Sequence, residues 1–211
     1  MTIAIPKILT FDDFLQWKPT DKQYELYEGI AIEMQPTGKH EEITGFLATE
    51  LAVEYKKLKF PYFIPKTALV KLENKQSAYS PDVLILNRPA LKDESLWEKY
   101  STVQTAASVP LVVEVVLKDT ASHISTNWRD DYLTKLRDYE EIGIQEYWIV
   151  DYLALGSRRY IGDPKQPTIS IYQLVDGEYQ VNRFKANSPI KSVVFPNLDL
   201  TAERIFIAGE E

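Results

Sequence analysis

The chain has 211 residues, 31 acids against 24 bases, a formal net charge of −7 and no cysteine. That length supports one well-buried α/β domain, and the missing cysteines exclude disulfides and thiolate metal sites. The acidic balance excludes a generic nucleic-acid coat protein, whose binding rests on neutralising phosphates, but not a nuclease with an acidic metal centre inside a locally basic cleft.

Thr10-Phe11-Asp12-Asp13 predicts a short helix, with Thr10 as N-cap and Asp13 completing a capping box. Before it, Met1 to Pro6 is too short and lacks the basic start of a signal peptide. No apolar run approaches a membrane span, so a cytoplasmic protein with no membrane partner is expected. Tyr24 to Met34 reads as a hairpin turning at Glu28-Gly29, and Glu25 and Glu33 read as solvated hairpin faces. From His40 to Lys57, Ile43, Leu47 and Leu51 recur at helical spacing, with acids leading and lysines closing. Tyr62–Ile64 and Ala68–Leu72 read as strands, followed by the Pro81-Asp82 strand.

Residues 87–108 read as a long loop with a helical turn or short helix, anchored by Trp97 and Tyr100. After the strand around Glu114, residues 117–125 are irregular and polar. A helix is then predicted from about Trp128 to Ile142, with Leu133, Leu136 and Tyr139 as its apolar stripe and Gly143 as its stop. Glu146 to Val150 is another buried strand. Thr168–Leu174, Tyr179–Phe184 and Ile190–Val194 complete the predicted strands, with a turn at Asp176-Gly177, and Thr201–Phe206 closes the chain as a short helix. This order gives a mixed sheet flanked by helices. No glycine-rich loop follows a strand, so neither a P-loop nor a dinucleotide fold is supported.

The chemistry is concentrated in Pro110-Leu111-Val112-Val113-Glu114-Val115-Val116. A carboxylate set in a strand apolar on both faces must be paired, protonated or bound to a cation. Asp82 opens another apolar strand, and two acids brought together repel until a divalent cation relieves them. A structural ion pair of Glu114 with Lys135 or Arg129 is the competing reading. His40 reads by itself as a surface or cap residue, His123 as a loop residue, and Asp82 alone as a turn cap.

The ordered set resembles the PD-(D/E)XK nuclease superfamily, and more closely its Uma-two family of restriction-endonuclease-like proteins. The residues that carry this are Tyr24-Glu25-Leu26…Gly29, Gly38…His40-Glu41-Glu42-Ile43, Ser80-Pro81-Asp82-Val83, Pro110 to Val115, Asp131…Lys135…Tyr139 and Gly143-Ile144-Gln145-Glu146-Tyr147-Trp148. The resemblance implies a single restriction-endonuclease-like α/β domain over residues 1–211: a mixed β-sheet flanked by helices, with extra C-terminal strands. It implies an endonuclease that hydrolyses DNA phosphodiester bonds with Mg²⁺, Mn²⁺ being the other candidate.

In that reading Asp82 and Glu114 hold the metal with the backbone carbonyl of Val115, and Lys135 assists the attacking water. Position 116 is Val rather than the superfamily's lysine, so the lysine comes from the following helix, with Lys118 as a rival. Glu33, His40 and Glu41 are second-tier cleft residues. Lys56-Lys57 and Arg158-Arg159 read by themselves as solvated charge; if the protein binds DNA, Arg129, Arg158 and Arg159 are the first candidates for phosphate contacts. A homodimer is expected, since two-strand cleavage pairs two sites. The alternatives are a catalytically inactive nuclease-fold module that binds DNA or protein, and an interaction domain whose acids only form ion pairs.

Overall fold

The computed structural model describes residues 8–19, 22–117 and 128–208. Helix α1 (Phe11–Trp17) begins on the predicted capping box, with Thr10 Oγ1 accepting from Asp13 N–H and the Asp13 carboxylate accepting from Thr10 N–H. Strands β1 (Gln23–Tyr27) and β2 (Ile30–Met34) pair antiparallel. Their turn needs positive φ at Glu28 (46°) and Gly29 (81°), the condition of a tight hairpin, and a Cβ on Gly29 would come within 2.6 Å of the Ile8 side chain. Helix α2 (Gly38–Lys57) is capped by Thr37. Then come β3 (Tyr62–Phe63), β4 (Leu69–Lys71), β5 (Ala78–Tyr79) and β6 (Val83–Asn87).

The expected loop over residues 87–108 is more ordered than its mixed polarity suggested. It holds a 3₁₀ turn (Arg88–Asp93), α3 (Trp97–Tyr100), the short strand β7 (Thr102–Val103) and a second 3₁₀ turn. The buried Glu94 carboxylate organises it by accepting from the backbone N–H groups of Gln104 and Thr105 and the Thr105 hydroxyl. Strand β8 (Leu111–Val115) follows. A π-helical segment (Asp130–Lys135) runs directly into α4 (Leu136–Ile142), which stops at Gly143 with φ 86°. Beyond are β9 (Glu146–Asp151), α5 (Arg158–Ile161), β10 (Thr168–Val175), β11 (Glu178–Phe184) and α6 (Ala202–Phe206).

The strands form two mixed sheets. The larger has the order β11-β10-β9-β8-β6-β3, with β8 and β9 parallel, so the C-terminal strands extend the sheet that carries Glu114. The smaller has the order β2-β1-β5-β4-β7. One face of the large sheet presents Val83, Ile85, Val113, Val115, Trp148 and Val150 to α2 and the C-terminal segment. The other presents Leu84, Val112, Tyr147 and Ile149 to Tyr79 and Val70 of the small sheet and to Tyr139 of α4. Helix α1 packs on the outer face of the small sheet. No described helix is long and apolar enough to cross a membrane.

Two expectations are corrected. Ile190–Val194 is not a strand; only an isolated bridge, Pro189 to Thr201, forms nearby. Ile190, Val194 and Phe195 are buried as an irregular cover on the large sheet, so their apolar character reflects burial rather than pairing. Leu133 is not part of an apolar stripe either. It is 49% exposed, and the buried face of its helix is Asp131, Tyr132, Lys135, Asp138 and Tyr139. That helix buries its charges because the site lies beneath it.

Candidate active site

Strands β6 and β8 are antiparallel with Val83 opposite Val113, so one further step sets Asp82 opposite Glu114. Side chains alternate along a strand, which places Asp82 and Glu114 with Leu84 and Val112 on the face toward the small sheet. The Asp82 carboxylate accepts from Val115 N–H at 2.7 Å, so it grips the backbone next to Glu114. Glu114 is 2% exposed. One of its oxygens accepts from the Tyr139 hydroxyl at 3.0 Å, and the other lies 3.1 Å from Lys135 Nζ.

Lys135 reaches this point because of the π segment. A step of four residues falls short of a full π turn and overshoots the 3.6-residue α turn. Asp131, Lys135 and Tyr139 cross from one form to the other, so the two errors offset each other and the three side chains share one face. The Asp131 carbonyl in the π segment accepts from the Tyr147 hydroxyl at 3.1 Å. Lys135 Nζ also lies 3.1 Å from Glu25 Oε1 and 3.8 Å from Asp131 Oδ1.

Glu25 is the site residue that the sequence reading missed. It is 1% exposed, not a solvated face, and it accepts from Ser80 N–H at 2.9 Å as well as from Lys135. Its neighbours Tyr24 and Leu26 face α1, while Glu25 and Tyr27 face the space between the sheets. Large side chains flanking an acid on both faces of a strand were the available signal, the same one that exposed Glu114. Glu33 is corrected in the opposite sense. It sits opposite Tyr24 rather than Glu25, pairs with Lys22 at 2.7 Å and accepts from Tyr24 OH at 3.1 Å, and does not line the cleft.

His40 is buried, not a surface residue, and its Nε2 lies 3.2 Å from Asp82 Oδ2 without hydrogen-bond alignment. Glu41 is exposed at the cleft rim, 3.9 Å from His40 Nδ1. The cleft that reaches Asp82 has a volume of about 170 Å³ and is bordered by His40, Thr44, Lys66, Ser80 and Leu117. Arg129, Arg158 and Arg159 are exposed and lie outside its lining. Lys118 and His123 lie outside the described residues.

Four carboxylates thus crowd one ammonium. Burial pushes Glu25 and Glu114 up from the ordinary carboxylate range, against the pull of Lys135, and the Asp82 charge adds to the rise. Burial, opposed by Lys135, raises Asp131 to about 7. Lys135 is held well above its usual value: burial disfavours its charge, but Glu114, Glu25 and Asp131 outweigh burial. The direction favours the protonated ammonium. For His40, burial opposes the proton, but Asp82, Glu41 and the Val115 backbone together raise its value.

This excess of buried negative charge suits a divalent cation, and the all-oxygen donors suit a hard ion such as Mg²⁺ or Mn²⁺. Among the described residues no three His, Asp or Glu side chains form a metal cage. Mg²⁺ does not require one, since it keeps several waters and commonly takes only one or two carboxylates. Asp82, Glu114 and the Val115 carbonyl fit that smaller role.

Two mixed sheets flanked by helices match a nuclease-like fold. A family model described as "Putative restriction endonuclease" matches residues 11–203, and the chain belongs to this Uma2 family. A crystal structure titled a putative nuclease belonging to DUF820, from Anabaena variabilis ATCC 29413, shares the fold with a TM-score of 0.67. It is 16% identical, and the match covers 94% of this chain and 97% of that one. No curated protein matches the chain.

Proposed function

We propose that this protein is a divalent-metal-dependent endonuclease that hydrolyses DNA phosphodiester bonds. The observation that carries the reading is Asp82 and Glu114 on one sheet face at the ends of paired strands, with the ammonium of Lys135 3.1 Å from Glu114. Asp82, Glu114 and the Val115 carbonyl would hold Mg²⁺ or Mn²⁺. When bound, the ion supplies charge neutralisation at phosphorus and an acidified water.

The chain's own residues do the remainder. Lys135 keeps its proton and presents it to the water or to charge developing on phosphate oxygen. Glu25 and Asp131 hold that ammonium in place. Tyr139 fixes the Glu114 carboxylate, and His40 backs Asp82. The surrounding apolar layer excludes bulk water, which strengthens each of these interactions.

The decisive test is cleavage of DNA in Mg²⁺ or Mn²⁺ by wild type and by Glu114→Gln, beside calorimetric titration of both with each ion. Ion binding and cleavage in wild type, both lost in the variant, are expected. Cleavage retained by Glu114→Gln or Asp82→Ala overturns the assignment. One observation favours a non-cleaving nucleic-acid-binding module instead: both Glu114 oxygens are already engaged, by Tyr139 and Lys135. That reading predicts no turnover on any nucleic acid.

A further inference from the structure

Outside the carboxylate centre, one small region reverses the sign of the protein. Six cations, Arg129, Arg158, Arg159, Lys165, Arg183 and Lys185, gather around the turn that contains α5, in a chain whose net charge is −7. They are built in by separate contacts. Arg183 Nε donates to the Tyr160 carbonyl, Lys185 Nζ to the Ile161 carbonyl at 2.6 Å, and Lys165 Nζ to the Leu155 carbonyl at 3.1 Å. Arg159 lies over the Tyr160 ring at 5.8 Å and Arg129 over the Trp128 ring at 4.9 Å.

The rings form one group. Tyr160 stacks on Tyr132 at 4.9 Å, and Trp128 lies 6.3 Å from Tyr160. The described acids close by are few. Asp163 faces Arg158 at 3.5 Å, with both side chains more than 60% exposed, where such pairs contribute little. Asp130 neighbours Arg129, Asp151 accepts from Leu155 and Gly156 N–H and feels Lys165, and Glu203 N–H donates to the Ala186 carbonyl beside Lys185.

The patch is coupled in position to the carboxylate centre. Strands β8 and β9 are parallel with Val115 beside Val150, so Glu114 and the turn leading to α5 emerge at the same end of the sheet. Arg129 and Lys135 ride the same helix, six positions apart, with the π segment Asp130–Lys135 joining them. The cationic patch and the carboxylate centre therefore lie toward the same end of the large sheet.

We infer that this patch docks the phosphodiester backbone of a nucleic-acid strand and delivers it to Asp82, Glu114 and Lys135. Guanidinium forks match phosphate oxygens in pairs, and cations set over aromatic rings suit a sugar-phosphate chain with bases alongside. The inference names the binding surface for the reaction proposed above and rests on that reading for its purpose, but not for its test.

The test is fluorescence anisotropy with a labelled single strand and the matching duplex, with a chelator present so that no cleavage occurs. Wild type, Arg158→Glu/Arg159→Glu and Arg158→Lys/Arg159→Lys are compared over a range of salt. Both arginines are exposed, and thermal melts confirm that each variant is folded. The charge reversal is expected to weaken binding on the order of tenfold or more and to lower the salt slope by about two phosphates. The lysine variant keeps the charge but not the fork, so it should keep the wild-type salt slope and lose less affinity than the reversal. Equal affinity and slope for wild type and the charge reversal overturn the inference, as does absence of wild-type binding to either DNA at low salt. A parallel cleavage assay separates the two proposals. Binding lost in the reversal with no cleavage by wild type leaves the docking surface standing and removes the nuclease. Cleavage by wild type with binding indifferent to the reversal does the opposite.

Discussion

Two acids on neighbouring strands of the large sheet, Glu114 and Glu146, are both buried, and they do opposite things. Glu146 accepts from the Trp148 indole N–H, the Ser192 hydroxyl and the backbone N–H groups of Val193 and Val194. Its charge is met by neutral dipoles, and it clips the C-terminal segment onto the sheet. Glu114 shares a single ammonium with Glu25 and Asp131, and Asp82 stands beside it. The first carboxylate is met by four donors; the second has the Tyr139 hydroxyl and one shared ammonium against three neighbouring acids. A buried acid supplied with enough donors is a structural device, while a cluster of acids that outnumbers its cations marks a candidate functional site.

That contrast predicts how each acid fails. The largest effect is expected at Glu114. Glu114→Gln should lower metal-dependent DNA cleavage on the order of a thousandfold. Its melting temperature should hold or rise, because one repelling charge is gone. A steady-state cleavage assay beside a thermal melt checks both. Glu146→Ala should do the reverse. It strands four donors and should cost about 3 kcal/mol or more in a urea titration, with divalent-ion affinity unchanged. If Glu146→Ala also removed ion binding, the contrast would collapse.

Glu25 sharpens the comparison within one hairpin. Glu25→Gln keeps an acceptor for Ser80 N–H but loosens Lys135, so cleavage should fall about tenfold to a hundredfold with ion affinity little altered. Glu33→Gln, on the adjacent strand and the opposite face, should leave cleavage unchanged.

The smallest effect is a change of slope. Asp131 titrates near 7 when folded, against an ordinary value of 3.8. The folded state therefore holds this proton more tightly than the unfolded chain. The stability it contributes is complete below about pH 4 and is lost as pH rises through about 7. Asp131→Asn should flatten the fall in urea midpoint across that window. An unchanged slope would show that Lys135 keeps Asp131 ionised throughout.

The elements were largely legible because they rest on local rules. The Thr10 capping box, the Glu28-Gly29 turn, the α2 period and the apolar strands around Glu114 and Glu146 all formed close to where they were read. Ile190–Val194 misled because an irregular segment buried on a sheet has the same composition as a strand. Lys135 was singled out through the family resemblance, and the structure places its ammonium against Glu114, although nothing in the sequence announced a π segment.

The sequence by itself determined that Glu114 is buried and that Asp82 opens a paired strand, because apolar residues on both sides of an acid leave it no water. Periodicity says which residues share a face but not what covers that face. Only the tertiary structure decided that the small sheet closes over Glu25, that Leu133 faces solvent while Lys135 goes inside, and that His40 lies against Asp82. It also brought α5 and the helix of Arg129 together through the contacts of Tyr160 with Trp128 and Tyr132. Those outcomes depend on contacts between segments far apart in the chain, where the cost of burying a charge is settled by the partners that folding brings to it.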